Sequence, residues 1–171
     1  GIVPLDIDVI IASTNSPDVS FASLSFIVQA RTGGDNAYCF DVIAACTSFI
    51  FDLDIASKYF NDDKIKNILV VCSERLSSIC DFTDRSTCVL FGDGGVAALL
   101  TKDSEKQSGL LSSYCRSEGS GGKALMCKTI QNHPPFYNEE MKDYFPEKAG
   151  VIAMDGKEVY RFAVRAMCDA S

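Results

Sequence analysis

The sequence contains the stretch Ala37-Tyr-Cys-Phe-Asp-Val-Ile-Ala-Ala-Cys46-Thr-Ser-Phe-Ile-Phe51, an apolar run that ends on a cysteine where an amphipathic pattern begins. This order of residues predicts a strand, a sharp turn and a helix. A thiol at that turn lies beside unpaired helix N–H groups and the positive end of the helix dipole, which favour the thiolate that attacks carbonyl carbon. On position alone, the more frequent role of such a cysteine is that of a small buried side chain.

Segments typical of strands and helices alternate around this stretch. Strands are predicted over residues 7–13, 37–43 and 67–73, and helices over residues 21–31 and 47–60. We expect the first helix to stop at Gly33 and Gly34. Such alternation predicts an α/β fold with a mostly parallel sheet.

The pattern changes beyond residue 80. It predicts a short helix over 83–91, strands over 96–101, 109–114 and 151–154, and a helix over 157–168. Glycine, serine, lysine, asparagine and proline dominate residues 118–147, which indicates a long exposed excursion. We therefore expect three regions: a core over 1–115 that carries Cys46, an exposed excursion over 116–150, and a further segment over 151–171.

Composition and charge exclude several functions. The 171 residues fit one domain, and 47% hydrophobic residues indicate an ordered chain. The formal net charge of −7 and the lack of a basic run argue against nucleic-acid binding. Neither a signal peptide nor an apolar run of about 18 residues occurs, so we expect no membrane span and a cytoplasmic location, or a plastid-type organelle in a eukaryote.

The eight cysteines predict neither a disulfide framework nor a zinc site. Cys39, Cys72 and Cys88 lie in apolar, strand-like runs, which favours buried thiols in a reducing compartment. No Cys-x-x-Cys pair occurs, and the single histidine, His133, lies in a proline-rich loop. We expect no metal and no cofactor.

Two other constellations have ordinary structural explanations. The glycines of Phe91–Gly95 and of Ser117–Ala124 lack the spacing and the hydroxyl of a phosphate-binding loop. The acidic residues Asp81, Asp84 and Asp93 have no spacing that fixes a joint geometry, and Arg85 is available as an ion-pair partner. We expect structural roles for both sets.

Ordered motifs along most of the chain carry a family resemblance. They are Asp6-Ile-Asp-Val-Ile-Ile-Ala-Ser-Thr14, Val28-Gln-Ala-Arg-Thr-Gly33, Phe40-Asp-Val-Ile-Ala-Ala-Cys46, Cys80-Asp-Phe-Thr-Asp-Arg85, Leu90-Phe-Gly-Asp-Gly94 and Met154-Asp-Gly-Lys-Glu-Val-Tyr160. In this order they resemble the β-ketoacyl-[acyl carrier protein] synthase III family of condensing enzymes. The resemblance implies a thiolase-like fold, a layered αβα arrangement with a mixed sheet, of which the chain covers most of the first half and the start of the second, from residue 151.

The resemblance also implies a reaction. Cys46 takes an acyl group from an acyl-CoA primer as a thioester, malonyl-[acyl carrier protein] loses carbon dioxide, and the carbanion attacks the thioester. This decarboxylating Claisen condensation starts fatty acid synthesis, and the implied partners are acyl-CoA, acyl carrier protein and a second copy in a homodimer. The family's Pro-His-Gln-Ala-Asn-like and Gly-Asn-Thr-Ser-like motifs do not occur here. We expect them beyond Ser171, in a chain that is a fragment and is inactive in condensation by itself.

Further positions match family sites one by one. Phe21 matches the aromatic residue that crosses the dimer interface and closes the partner's acyl pocket. The resemblance places Asn15, Leu76 and Phe91 in the acyl pocket, Arg85 on the CoA nucleotide, and Gly156 and Tyr160 along the substrate tunnel. For Arg85, a local ion pair with Asp81 is the alternative.

Several departures from the family pattern leave primer preference open. Ser48 and Val96 occupy positions where the family has glycine, and Phe82 replaces a proline. A specialised thiolase-fold ketosynthase or acyltransferase of secondary metabolism is therefore an alternative. A second alternative, of another class, is a non-catalytic partial chain that dimerises through the strand Ala37 to Ile43.

Overall fold

The computed structural model describes residues 1–102, 109–128 and 150–170. These residues form two compact units, the first from Gly1–Arg75 and Asp93–Cys115, the second from Leu76–Gly92 and Arg116–Ser171. The first unit contains β1 (Val9–Ser13), α1 (Leu24–Thr32), β2 (Tyr38–Asp41), α2 (Ser48–Tyr59), β3 (Asn67–Arg75) and β4 (Asp93–Thr101). The second contains β5 (Leu125–Cys127), β6 (Ile152–Met154) and α3 (Gly156–Asp169).

The first unit is built on a four-stranded sheet in the order β2-β1-β3-β4. β1 pairs in parallel with β2 and β3, whereas β4 runs antiparallel to β3. The predicted mostly parallel α/β sheet is therefore confirmed. Because parallel strands run in the same direction, β1, β2 and β3 end on the same side of the sheet, at Ser13, Asp41 and Arg75, and β3 continues past Cys72, the partner of Ser13. We call this side the carboxyl edge.

Helices cover both faces of this sheet. Val9 and Ile11 of β1 pack with Ile68, Val70 and Ala56, the last on α2. The intervening Ile10 packs with Ile7 and Ala37, and Val28 of α1 packs against that cluster. Since neighbouring residues of a strand point to opposite faces, α1 and α2 lie on opposite sides of the sheet. The first unit thus has the layered αβα arrangement.

The ends of α1 have distinct physical causes. Gly33 adopts φ 76°, and its N–H bonds the carbonyl of Gln29, which ends the helix at the glycine pair as predicted. The helix begins at Leu24, later than the predicted residue 21, because its cap comes from another strand. The Asp41 carboxylate accepts the backbone N–H groups of Leu24 at 2.8 Å and of Ser25 at 2.9 Å.

The second unit contains an antiparallel pair of short strands followed by a helix. β5 pairs with β6, with Leu125 opposite Met154. Asp155 then caps α3, since its Oδ1 accepts the N–H groups of Lys157 and Glu158, each at 3.1 Å. The strand and helix predicted here are confirmed, whereas β5 was missed because three residues carry no periodic signal.

Two predicted elements are wrong. Residues 83–91 form turns, not a helix. The Asp81 carboxylate accepts the backbone N–H of Thr83 at 2.9 Å, and Asp84 accepts that of Ser86 at 2.9 Å, so side chains compete with helical bonding. Residues 109–114 form no strand, and no strand among the described residues pairs with them to complete a hydrogen-bonded ladder. In the part of the chain that is described, no helix combines the length and apolar character needed to cross a membrane.

Candidate active site around Cys46

Cys46 lies in a three-residue 3-10 turn, Ala45–Thr47, between β2 and α2. The predicted sequence of strand, turn and helix is therefore confirmed. The thiol is exposed, so Cys46 does not have the buried role that its position alone favours. Because the turn follows β2, the thiol leaves the sheet at the carboxyl edge, where α/β sheets commonly bind ligands.

The backbone of this turn is strained and is held by side-chain hydrogen bonds. Ala45 has φ 50°, in the left-handed region that costs an L-residue roughly 1–2 kcal/mol. The Ala44 N–H donates to Ser48 Oγ at 2.9 Å, and Thr47 Oγ1 donates to the Ala44 carbonyl at 2.8 Å. Ser48 is 4% exposed. Its hydroxyl closes the turn, which gives a structural reason for serine at this position.

Cys46 directly precedes the N-terminus of α2. The capping residue, Thr47, makes no side-chain cap hydrogen bond. The Thr47 side chain therefore leaves the first-turn N–H groups of α2 uncapped, and these groups, with the helix dipole, stabilise negative charge at this end of the helix. An anion formed during attack on a carbonyl is suited to such a place.

A buried polar cluster lies deeper along α2, on the sheet face that α2 covers. The Asp52 side chain is 0% exposed. Its Oδ2 accepts the Ser13 hydroxyl at 2.6 Å and the Cys72 thiol at 3.4 Å, whereas its Oδ1 has no hydrogen-bond partner among the described residues. The cluster joins the end of β1 and the interior of β3 to the helix that begins beside Cys46.

This cluster changes the ionisation of both acidic members. Burial raises the pKa of Asp52, and the Asp41 charge raises it further, while hydrogen bonds from Ser13 and Cys72 act in the opposite direction. Burial, followed by the hydrogen bond to Asp52, raises the pKa of the Cys72 thiol to about 11. Cys72 is therefore a poor nucleophile at neutral pH, since the thiolate is the reactive form.

Asn15 and Phe21 lie in the loop that follows β1 at the same edge. Asn15 is exposed, and its backbone N–H and Nδ2 donate to Glu74 Oε1 at 2.8 and 2.9 Å. The Phe21 side chain is 91% exposed. The structure thus brings Cys46, Asn15 and Phe21 to one edge of the sheet, although it shows no contact among the three.

The other predicted site residues belong to the second unit. Leu76 begins a 3-10 turn and is half-buried, as is Phe91, whereas Arg85 is exposed within the turns of residues 85–90. Gly156 begins α3, and Tyr160 is exposed on it. The pocket, CoA and tunnel roles of these residues stay predictions.

No group of three or more potential ligands is arranged to hold a metal ion within residues 1–102, 109–128 and 150–170. His133 and most of the excursion lie outside the described residues.

Sequence reasoning missed Asp52, Glu74 and Asp41. Asp52 carries no signal of its depth, because an aspartate in a helix is ordinarily exposed. The contacts of Glu74 with Asn15 and of Asp41 with Leu24 span 59 and 17 residues of sequence. Only the pairing of the strands brings these groups together.

Comparisons with known proteins agree with this geometry. Residues 40–119 match the family described as 3-Oxoacyl-[acyl-carrier-protein (ACP)] synthase III. The β-ketoacyl-[acyl-carrier-protein] synthase III of Clostridium novyi (strain NT) is 42% identical over 165 residues, which are 96% of this chain and 49% of that protein. The chain therefore spans about half the length of the curated relatives it matches.

Solved structures show the same fold. The 3-oxoacyl-[acyl-carrier-protein] synthase III of Aquifex aeolicus VF5 superposes with a TM-score of 0.80 at 37% identity, over 97% of this chain and 47% of that one. The priming β-ketosynthase of the R1128 polyketide biosynthetic pathway superposes with a TM-score of 0.77 at 29% identity, over 99% and 48%. The predicted thiolase-like fold with a mixed sheet is confirmed. By sequence and by fold, the chain belongs to the β-ketoacyl-[acyl-carrier-protein] synthase III family.

Proposed function

We propose that this chain carries the nucleophile of an acyltransferase that condenses an acyl-CoA primer with malonyl-[acyl carrier protein] to start fatty acid synthesis. The observation that carries the proposal is the exposed Cys46 thiol, which a strained turn presents at the N-terminus of α2 in a chain of this family.

Two steps follow from this placement. The Cys46 thiolate attacks the carbonyl carbon of acyl-CoA, a carbon–sulfur bond forms, and CoA leaves as a thiolate that takes up a proton. Malonyl-[acyl carrier protein] then releases carbon dioxide, and the electron pair of the broken bond attacks the acyl-Cys46 carbonyl, which returns Cys46 as a thiolate. Developing negative charge near the thiol is supported by the dipole of α2.

The chain's own residues support the first step more than the second. Neither the His motif nor the Asn motif that the family uses in decarboxylation occurs among the 171 residues. We therefore propose that this chain supplies the nucleophile for acylation of Cys46, whereas decarboxylation needs the His and Asn motifs that these residues lack. Asn15, Leu76 and Phe91 belong to the proposed acyl pocket, and Arg85, Gly156 and Tyr160 to the proposed CoA and tunnel surfaces.

The proposal includes a homodimer. β2 is an edge strand of the four-stranded sheet, so within the described ranges one side of Tyr38–Asp41 is available for pairing with a second copy. Tyr38 and Ile43 are exposed apolar side chains beside that edge. In such a dimer, Phe21 of each copy would close the acyl pocket of the other.

The proposal also includes a cytoplasmic location. All eight cysteines are free thiols, as a reducing compartment requires.

A second candidate function is the priming ketosynthase step of a polyketide pathway. The likeness to the R1128 priming β-ketosynthase, at 29% identity, supports it. Both candidates use an acyl-Cys46 intermediate and differ in the acceptor that follows. Offering the acylated protein malonyl groups on carrier proteins of fatty acid and polyketide synthesis separates them, because only the true acceptor discharges the thioester rapidly.

The test of the proposal is acylation of the full-length natural protein. We expect incubation with acetyl-CoA to add one acetyl group to the peptide that contains Cys46, as measured by mass spectrometry. Cys46→Ala should abolish the adduct, whereas Cys115→Ala, which removes another exposed thiol, should leave it unchanged. An adduct on another cysteine would contradict the assignment, and no adduct at all would favour the non-catalytic dimerising chain.

A further inference from the structure

The start of the loop that joins β1 to α1, residues 14–22, is anchored by the carboxylate of Glu74. Glu74, near the end of β3, accepts three hydrogen bonds from this loop. Its Oε1 accepts the Asn15 backbone N–H at 2.8 Å and Asn15 Nδ2 at 2.9 Å, and its Oε2 accepts the Ser16 hydroxyl at 2.6 Å. Hydrogen bonds to a charged acceptor are roughly twice as strong as those between neutral groups.

Two further contacts tie the same part of the loop to β3. Ser16 Oγ accepts the backbone N–H of Arg75 at 2.6 Å, and Ser16 is 7% exposed. The Arg75 guanidinium lies 3.1 Å from the Asp18 carboxylate, with both side chains largely exposed. Exposed ion pairs contribute little, so the Glu74 and Ser16 bonds are the principal anchor.

The far end of the loop is anchored separately. The Asp41 carboxylate, at the end of β2, binds the first two N–H groups of α1, those of Leu24 and Ser25. The loop is therefore fixed at its start by β3 and at its end by β2.

An apolar tip lies between these two anchors. Val19 and Phe21 are exposed, and Ala22 has φ 72°, in the left-handed region. A non-glycine residue persists in that region only when its surroundings hold it there. The anchors therefore hold Phe21 in a defined direction. Because the loop is already ordered, little conformational entropy is lost when a partner binds Phe21.

We propose that Glu74 is a positioning residue that sets how far Phe21 projects, and thereby how long an acyl chain the enzyme accepts. The inference rests on the proposed function, in which Phe21 closes the acyl pocket of the second copy. Without Glu74, Asn15 and Ser16 lose their shared acceptor, and the loop can shift. A displaced Phe21 would leave the pocket deeper.

The test compares chain-length preference in the full-length natural protein. The measured quantity is the ratio of kcat/KM for Cys46 acylation by hexanoyl-CoA to that by acetyl-CoA. Since one methylene in a fitted pocket changes kcat/KM by roughly 10–200-fold, partial loss of the pocket wall in Glu74→Ala should raise the ratio by about threefold to tenfold. Glu74→Gln, which keeps one acceptor oxygen, should restore most of the normal ratio.

A double-mutant comparison separates positioning from general structural support. Phe21→Ala alone should raise the ratio, and Glu74→Ala should add nothing in the Phe21→Ala background, because Glu74 acts through Phe21. Ser16→Ala provides a second variant with the same expected direction, should Glu74→Ala fold poorly. Asp63→Ala, which removes an exposed carboxylate paired with Lys102, is the control and should leave the ratio unchanged.

The outcomes distinguish failure of the positioning role of Glu74 from failure of the proposed acylation of Cys46. If Glu74→Ala and Ser16→Ala both leave the ratio unchanged, or if Glu74→Ala raises it equally with and without Phe21, the positioning role is overturned. If the wild-type protein forms no acyl-Cys46, the proposed function fails instead. Amide hydrogen exchange at Asn15 gives an independent reading of the anchor, since loss of Glu74 should accelerate it.

Discussion

The Ser13 hydroxyl donates to the Asp52 carboxylate at 2.6 Å, and this contact joins the end of β1 to the helix that begins beside Cys46. Asp52 is fully buried, and in the part of the chain that the structure describes its second oxygen has no hydrogen-bond partner. A buried carboxyl with an unpaired oxygen is costly in the charged form. The stability of the first unit should therefore depend on the protonation of Asp52.

Stability should fall as pH rises through the titration range of Asp52. Burial holds its pKa above the ordinary value of 3.8, so the unfolded chain loses this proton at lower pH than the folded chain. The contribution of protonated Asp52 to the free energy of unfolding is fully present below about pH 3.8. It is lost as the pH rises through the pKa that Asp52 has in the folded chain. Within that window, the free energy of unfolding should fall by up to about 1.36 kcal/mol per pH unit.

Urea unfolding of the wild type and of Asp52→Asn at a series of pH values measures this effect. Asparagine cannot ionise, so the stability of Asp52→Asn relative to the wild type should increase with pH across the window. A difference that stays constant or decreases with pH would contradict the prediction.

Ser13→Ala should lower the free energy of unfolding by about 1–3 kcal/mol, because it removes a buried hydrogen bond to an acidic group. It should also raise the pKa of Asp52 further, since the Ser13 hydrogen bond lowers that pKa. The pH range over which the free energy of unfolding falls should then extend to higher pH. Ser57→Ala, at a half-buried serine that bonds its own helix backbone, is a control expected to change stability by less than about 1 kcal/mol.

Substitutions at Ala45 should report on the strained turn. Ala45→Val should lower the free energy of unfolding by about 1–3 kcal/mol, because a β-branched residue fits φ 50° poorly. Ala45→Gly should remain within about 1 kcal/mol of the wild type. Ala44→Val is the matched control, since Ala44 has φ −140°. Equal losses for Ala45→Val and Ala44→Val, measured by urea unfolding, would show that the left-handed conformation has no energetic role.

Asp41→Ala should cost about 0.5–2 kcal/mol of stability through loss of the cap of α1. It should also lower the pKa of Asp52, because the Asp41 charge raises it. Asp155→Ala removes the equivalent cap of α3 and should cost a similar amount without moving the Asp52 titration. Carboxyl chemical shifts in NMR titrations distinguish these two cases, and an unchanged Asp52 titration in Asp41→Ala would refute the coupling.

Local patterning was sufficient for most of the secondary structure. The apolar run of β1, the alternation of strand and helix, and the stop at Gly33 follow from periodicity and from the conformational freedom of glycine. The motif that ends at Cys46 was sufficient to locate the turn, and the ordered motifs along most of the chain were sufficient to indicate the family. The pattern predicted a helix over residues 83–91 wrongly, because aspartate side chains there bind the backbone of the following turns. It also predicted a strand over 109–114 wrongly, because a strand needs a partner strand.

The sequence by itself determined the α/β class, the position of Cys46 between a strand and a helix, and the family. The fold class and the position of Cys46 depend on interactions between residues close in the chain, whose periodicity can be read directly, and the family follows from motifs distributed along the chain. Only the tertiary structure decided the burial of Asp52 against Ser13 and Cys72, the capping of α1 by Asp41, and the anchoring of the Phe21 loop by Glu74. Each of these contacts joins residues distant in sequence, and it forms because parallel pairing of β1 with β2 and β3 brings their carboxyl ends to one edge.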